Sequence, residues 1–144
     1  MGSAREVFNQ AHERFNAHDL DAIDDIYAED AEFKGPGGMV FKGRAQIRQF
    51  TSGWFQGFPD CELRSLNVIE GGDTIVEEGL FIGTHTGVFP TPMGDIPPTG
   101  RRVEGAFVDV FEIRDGLIVA DRLSFDRLEL MEQLGLMPQP AGAG

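Results

Sequence analysis

Cysteine is nearly missing from this chain. Cys61 is the only one among 144 residues, so no disulfide can close within the chain and no second thiolate is present to share a metal. A reducing compartment suits such a sequence, and a cytoplasmic location is expected. Histidine is scarce too: His12, His18 and His85 are too few for a His-rich metal site. The N-terminus has no basic stretch followed by an apolar core, so no signal peptide is expected. No apolar run reaches the length needed to cross a bilayer. Positive charge is also short. Twelve Lys and Arg stand against twenty-four Asp and Glu, leaving a formal charge of −12. So acidic a surface repels phosphate backbones and anionic lipid, which makes nucleic acid and membranes poor partners. Its simplest use is solubility. Trp and Tyr occur once each, yet Phe occurs twelve times. Phe fills volume without needing a polar partner, so the chain is building an apolar core or an apolar cavity.

A hydrophobic content of 41% supports a globular fold, and the length suits one domain. Residues 1–144 read as that single domain, without repeat or linker, and "PQPAGAG" from about residue 138 reads as a loose tail. Val7, Phe8, Ala11 and Phe15 predict a helix over 4–17. Asp19 is a fitting N-cap for a second helix through Ala28, with Leu20, Ile23, Ile26 and Tyr27 as its buried stripe. "GPGG" at 35–38 lacks the helix and Lys of a phosphate loop and reads as a bulged turn. Ile47, Phe50, Trp54 and Phe58 give a third helix its apolar side. After Pro59 the pattern is strands: "CELRSLNVIE", then "TIVEEGLFIGTHTGVF", whose Gly79 and Gly83 permit bulges or curvature. "PTPMGDIPPTGRR" reads as a loop. "RVEGAFVDVFEI" and "LIVADRLSFD" are strands joined by an "RDG" turn, and "RLELMEQLG" closes with a helical turn. Helices first and an antiparallel meander afterwards predict α+β, with the helices packed on a curved sheet. A sheet bent around helices makes a cone with a mouth.

The last strand poses the functional question. Leu117, Val119, Asp121, Leu123 and Phe125 share one face by alternation, apolar except for a carboxylate. In the preceding strand Gly105, Phe107, Asp109 and Phe111 form a similar set. Neighbouring antiparallel strands would bring Asp109 and Asp121 within reach of each other. Two carboxyls in an apolar pocket push a pKa upward through desolvation and repulsion. One acid can then donate to an enolate while the other removes a proton. The competing reading is structural: each acid pairs with Arg or a buried backbone group. His85 reads either as an imidazole beside the pocket or as a strand-end residue bonded to the Pro-rich loop. His12 sits at the edge of the first helix's apolar face and His18 in a solvated turn. Arg101 and Arg102 read as solvated or interfacial, with a grip on an acidic substrate as the alternative.

The pieces "IYAEDAEF", "FKGRAQIRQF", "GTHTG", "PPTGRRV" and "SFDRLELMEQLGL" resemble the nuclear-transport-factor-2-like superfamily. "GTHTGVF…IPPTGRRV", followed by "DG.I" and "QLG", is similar to its SnoaL-like polyketide cyclase (ester cyclase) branch. The resemblance runs from about Val7 to Pro138. It implies a cone-shaped α+β barrel with helices in the concave face of a strongly curved, mostly antiparallel sheet, an apolar pocket and a homodimer. Cyclases, isomerases, dehydratases and epoxide hydrolases share that fold, so fold does not settle function. In ketosteroid isomerases the general base falls on Gly35 of this chain, the oxyanion-donating Tyr on Ala11, and the second acid on Asp109. In limonene-type epoxide hydrolases an acid falls on Leu123 and an Arg on Phe107. SnoaL cyclases use a last-strand Asp, which here has moved one inward position earlier, to Asp121.

The expectation is therefore a cofactor-independent acid–base enzyme acting on a small hydrophobic carbonyl compound, cyclase-, isomerase- or dehydratase-like. Its alternatives are a non-catalytic binder of an apolar ligand and an epoxide hydrolase. Asp121, Asp109 and His85 are the candidate catalytic residues. His12, Phe15, Trp54, Phe58, Phe107, Leu123 and Phe125 are the candidate substrate contacts, and neither metal nor cofactor is expected.

Overall fold

The structure, a computed structural model, describes residues 3–137; the expected loose tail from about 138 lies outside them. Ser3 opens α1 (Ala4–Asn16) by accepting from the Glu6 backbone N–H at 3.1 Å. Val7 and Phe8 are buried on it, and Ala11 and Phe15 pack half-buried on the same side. Asp19 caps α2 through the Ala22 N–H at 3.1 Å, but this helix covers only Leu20–Asp24. The apolar run beyond it, expected to be helical to Ala28, enters strand β1 (Tyr27–Lys34) instead. Pairing is the cause. The Ile118 N–H donates to the Ile26 carbonyl at 2.8 Å and Tyr27 stands opposite Ile118, so sheet contacts override helical spacing.

A single 3-10 turn, Pro36–Gly38, occupies "GPGG", and β2 (Val40–Lys42) returns antiparallel to β1. Helix α3 spans Gly43–Gly57. Strands β3 (Glu62–Gly71) and β4 (Thr74–Thr84) follow, then β5 (Phe89–Thr91) and β6 (Gly94–Ile96). These last two form a small hairpin that begins at Phe89, since the strand expected to run to Phe89 ends at Thr84, and that otherwise lies in the segment expected to be loop. Strands β7 (Arg102–Arg114) and β8 (Leu117–Phe125) meet at Asp115 and Gly116, whose φ of 53° and 76° make the type I′ geometry that matches strand twist. Helix α4 covers Arg127–Gln133, capped by Asp126 Oδ1.

Six strands form one sheet in the order β2-β1-β8-β7-β4-β3, antiparallel at every pair except β1 and β8. With α1 against β3, β4 and β7, and α3 against β1, the sheet wraps its helices into a cone. Gly79 shows how tightly it wraps: a Cβ there would lie 2.6 Å from Phe107 Cζ and 2.9 Å from the Arg64 carbonyl oxygen. Only a missing side chain lets that ring cross β4. Among the described residues, no helix is long and apolar enough to cross a membrane.

The core falls into two clusters. One gathers Phe8, Ile26, Phe33, Ile75, Phe111 and Ile118; the other gathers Phe58, Cys61, Phe89, Val103, Leu130 and Leu134. Phe15 and Phe55 pack against both. Val119 is a bulge, because Ala120 pairs with Glu112 while Ile118 pairs with Ile113. That extra residue reverses the phase of the strand's start. Ile118, expected on the wetter face, is 0% exposed, while Leu117 is only half-buried.

Candidate active site

Strand β7 supplies the centre. Its Asp109 stands opposite Leu123 on β8 and opposite Glu77 on β4, while Phe111 stands opposite Asp121. Asp109 and Asp121 are thus diagonal neighbours on one face, a relation within side-chain reach. Asp121 is 1% exposed and Asp109 9%. No Arg or Lys pairs with either of them among the described residues. Asp121 Oδ2 accepts a 2.7 Å hydrogen bond from the Tyr27 hydroxyl. One oxygen of each acid, Asp109 Oδ1 and Asp121 Oδ1, is buried without a donor.

Burial in this apolar setting pushes the Asp109 carboxyl well above its ordinary value, and the charge of Asp121 adds to the push. Asp121 is raised as well, by burial, but hydrogen bonds from Asp109 and Tyr27 pull it back down. The stronger push toward the protonated form falls on Asp109, and the hydrogen bonds at Asp121 favour its carboxylate form. Tyr27 is held as a neutral phenol by burial and by the neighbouring negative charge. The arrangement pairs a donor acid with an acceptor carboxylate, as general acid–base chemistry requires.

Glu77 is a third buried acid, 1% exposed, that the sequence reading did not select. Burial raises its pKa too, while a hydrogen bond from the Ser65 hydroxyl opposes the rise. His12 Nε2 lies 3.4 Å from Glu77 Oε2, yet forms no hydrogen bond there. The signal for Glu77 was legible: it alternates with Ile75, Gly79 and Phe81, an acid on an apolar face like Asp121. Tyr27 was hidden by the helical reading of its segment.

These groups line a cavity of about 130 Å3 between the two core clusters. At about 30 Å3 of liquid volume per water the space holds roughly four waters, close to the cavity of about 150 Å3 that takes one benzene ring. Of the expected contacts, His12, Phe15, Trp54, Phe107, Leu123 and Phe125 line it, together with Asp109 and Asp121. Phe58 does not. It is 0% exposed and packs against Trp54, Phe81 and Phe89, because the last turn of α3 carries it past the cavity into the second cluster. His85 is also elsewhere. Its Nδ1 accepts from the Thr99 backbone N–H at 3.2 Å, and its buried ring lies 5.2 Å from that of Phe58. The loop-bonded reading therefore holds for His85, and desolvation lowers its pKa.

His18 is not fully solvated either. Its positive φ of 55° turns the ring onto Phe55, stacked at 4.2 Å, and Nε2 lies 2.7 Å from the Cys61 carbonyl oxygen. Burial pushes the Cys61 thiol up to about 12, which keeps it protonated and a poor nucleophile. Arg101 and Arg102 are exposed and outside the cavity lining, Arg102 paired with Glu104 at 3.0 Å. Among the described residues, no three His, Cys, Asp or Glu side chains converge as a metal-ligand set.

The SnoaL-like domain family matches residues 8–120. No curated protein matches the chain. Solved structures do. A candidate SnoaL-like polyketide cyclase from Jannaschia sp. CCS1 is 24% identical, with a TM-score of 0.82 over 94% of this chain and 93% of that one. IdmH, a candidate polyketide cyclase from Streptomyces antibioticus, is 26% identical, with a TM-score of 0.78 over 93% and 99%. A nuclear-transport-factor-2-like protein of unknown function from Burkholderia pseudomallei K96243 is 20% identical, with a TM-score of 0.76 over 93% and 98%. These likenesses agree with the cone-shaped α+β fold.

Proposed function

Since the chain belongs to the SnoaL-like domain family, we propose that it is a cofactor-independent acid–base enzyme acting on a small hydrophobic carbonyl compound, of the cyclase, isomerase or dehydratase kind. The observation that carries this reading is the buried Asp109–Asp121 pair in an aromatic-lined cavity. Asp121 removes the proton from the carbon beside the carbonyl. Asp109, protonated, donates a hydrogen bond to the oxygen on which negative charge develops. The Tyr27 hydroxyl keeps the Asp121 carboxylate ionised and aimed. The proton on Asp121 then returns to the product, at a different atom in an isomerisation or to the leaving oxygen in a dehydration. In a ring closure the enolate carbon attacks a second carbonyl, and the proton goes to the new alkoxide.

Turnover is tested on a panel of apolar ketones and enol esters, selected by ligand-raised melting temperature. Asp109→Asn and Asp121→Asn should each lower it by roughly a hundredfold or more, the scale of general catalysis. Activity that survives both changes overturns the proposal. A second reading, an apolar-ligand binder without chemistry, draws on Leu123: the cavity has an apolar residue where related hydrolases place an acid. It would show tight binding without a bell-shaped rate profile. A homodimer is part of the proposal, and a sedimentation mass of a single chain withdraws it.

A further inference from the structure

The proposed chemistry uses Asp109, Asp121 and Tyr27 and leaves Glu77 without a task. Glu77 stands directly opposite Asp109 across the β4–β7 pair and lines the same cavity. Three carboxyls therefore share one hollow. No Lys or Arg side chain lines it among the described residues; His12 is the only lining residue able to carry positive charge. Burial favours the protonated form at all three, so in the empty cavity protons offset charge that would be costly there, with His12 Nε2, 3.4 Å from Glu77 Oε2, the one basic group beside them. Two carboxyl oxygens, on Asp109 and Asp121, are buried and await a donor. The remaining lining is rich in ring faces, Phe8, Phe15, Phe50 and Trp54 among them, which attract cations through their quadrupoles. The rim repeats the sign. Exposed Asp126, the cap of α4, and Glu129 within that helix line the cavity, and the chain as a whole carries −12, so the approach favours a cation.

Building on the reading that this cavity holds the substrate, we infer that the substrate is an apolar compound bearing a protonated amine, whose ammonium is received by Glu77 and the surrounding ring faces. Selection works by charge. An ammonium takes the place of those protons as counter-charge and offers N–H donors to the orphaned oxygens. A neutral isostere of the same shape gains the burial but no charge pairing with the carboxyls. A carboxylate adds a fourth acid to three and is rejected. The inference has a thermodynamic signature. Buried carboxyls that hold protons in the empty cavity give them up when a cation arrives, so ammonium binding releases protons from the protein and neutral binding does not.

The experiment is titration calorimetry at pH 7 with three ligands of one skeleton, matched to a one-ring hollow: benzylamine, benzyl alcohol and benzoate. Each is run in two buffers of different ionisation enthalpy. The amine should bind about tenfold or more tighter than the alcohol, benzoate should not bind, and only the amine's heat should change with buffer, in the sense of proton release. Glu77→Gln, which keeps volume and removes charge, should narrow the amine-to-alcohol ratio to about threefold or less. The wild-type comparison stands even where that variant folds poorly. Alcohol binding equal to or tighter than amine, or measurable benzoate binding, overturns the inference while leaving the acid–base reading intact. Failure of all three to bind overturns both.

Discussion

The hydroxyl of Tyr27, at the start of the first strand, donates to Asp121 Oδ2 across 2.7 Å, in the last strand of the same sheet. The parallel β1–β8 pair makes this possible, bringing residues 94 apart in sequence side by side. The bond favours the ionised form of Asp121, against the burial that disfavours it. Tyr27→Phe removes the donor and little volume. Asp121 should then titrate higher, and the acid limb of the rate profile should move to higher pH. A hydrogen bond to a charged group contributes about 1.5–3 kcal/mol, so turnover near neutrality should fall by roughly ten- to a hundredfold. An acid limb that stays in place would remove Tyr27 from the site.

Asp109 predicts a pH dependence of folding. Its native pKa is raised above that of the unfolded chain, so folding favours the protonated form. That contribution is fully present below the unfolded value of about 3.9 and is lost as pH rises through the raised native value. Asparagine is neutral at every pH and mimics the protonated acid. Asp109→Asn should therefore gain stability relative to the wild type as pH rises above about 4, levelling off beyond the native pKa. Urea midpoints for both proteins between acid and neutral pH measure the difference. A constant difference, or one that grows toward acid, contradicts the assignment.

How much of this was legible in sequence differs from residue to residue. Alternation alone placed Phe107, Asp109 and Phe111 on the buried face of β7, because no irregularity interrupts that strand's pairing with β4. It placed Asp121, Leu123 and Phe125 correctly on β8 and misplaced Ile118, since the bulge at Val119 leaves no mark in an apolar run. Asp19 announced its helix through cap chemistry, but the helix's end was set by Ile118 across the sheet, which local spacing does not contain. Phe58 and His85 were assigned to the pocket by helix face and by motif. Their true neighbours are Phe89, at the end of a stretch that reads as one long strand but leaves the sheet after Thr84, and Thr99 in the Pro-rich loop, and both contacts depend on how the chain folds back there.

Gly79 ties fold to site. A methyl there meets the Phe107 ring at 2.6 Å and the Arg64 backbone oxygen at 2.9 Å, and Phe107 lines the cavity. The backbone contact cannot yield by a rotamer change, so the ring must move inward or the strand must shift. Gly79→Ala should cost about 1–3 kcal/mol, in the range of overpacked cores. Ligand affinity should weaken together with stability. A variant of wild-type melting temperature and affinity would mean that the ring does not press on β4.

Phe58 and Phe125 separate packing from binding. Phe58 is fully buried outside the cavity, whereas Phe125 is half-buried and lines it, facing Phe107 across the strand pair. Truncating a buried Phe to Ala costs about 3–5 kcal/mol, because the cavity left behind is only partly filled. Phe58→Ala should therefore lose stability on that scale and bind ligand like the wild type at temperatures where it remains folded. Phe125→Ala, with less area withdrawn from water, should lose less stability. It should bind a cavity ligand more weakly, by roughly the ten- to hundredfold that one aromatic wall contributes. Denaturant midpoints and calorimetric affinities on the two variants give the answer. If affinity follows Phe58 and ignores Phe125, the ligand sits on the β5–β6 side of α3 and the acid pair faces an empty room.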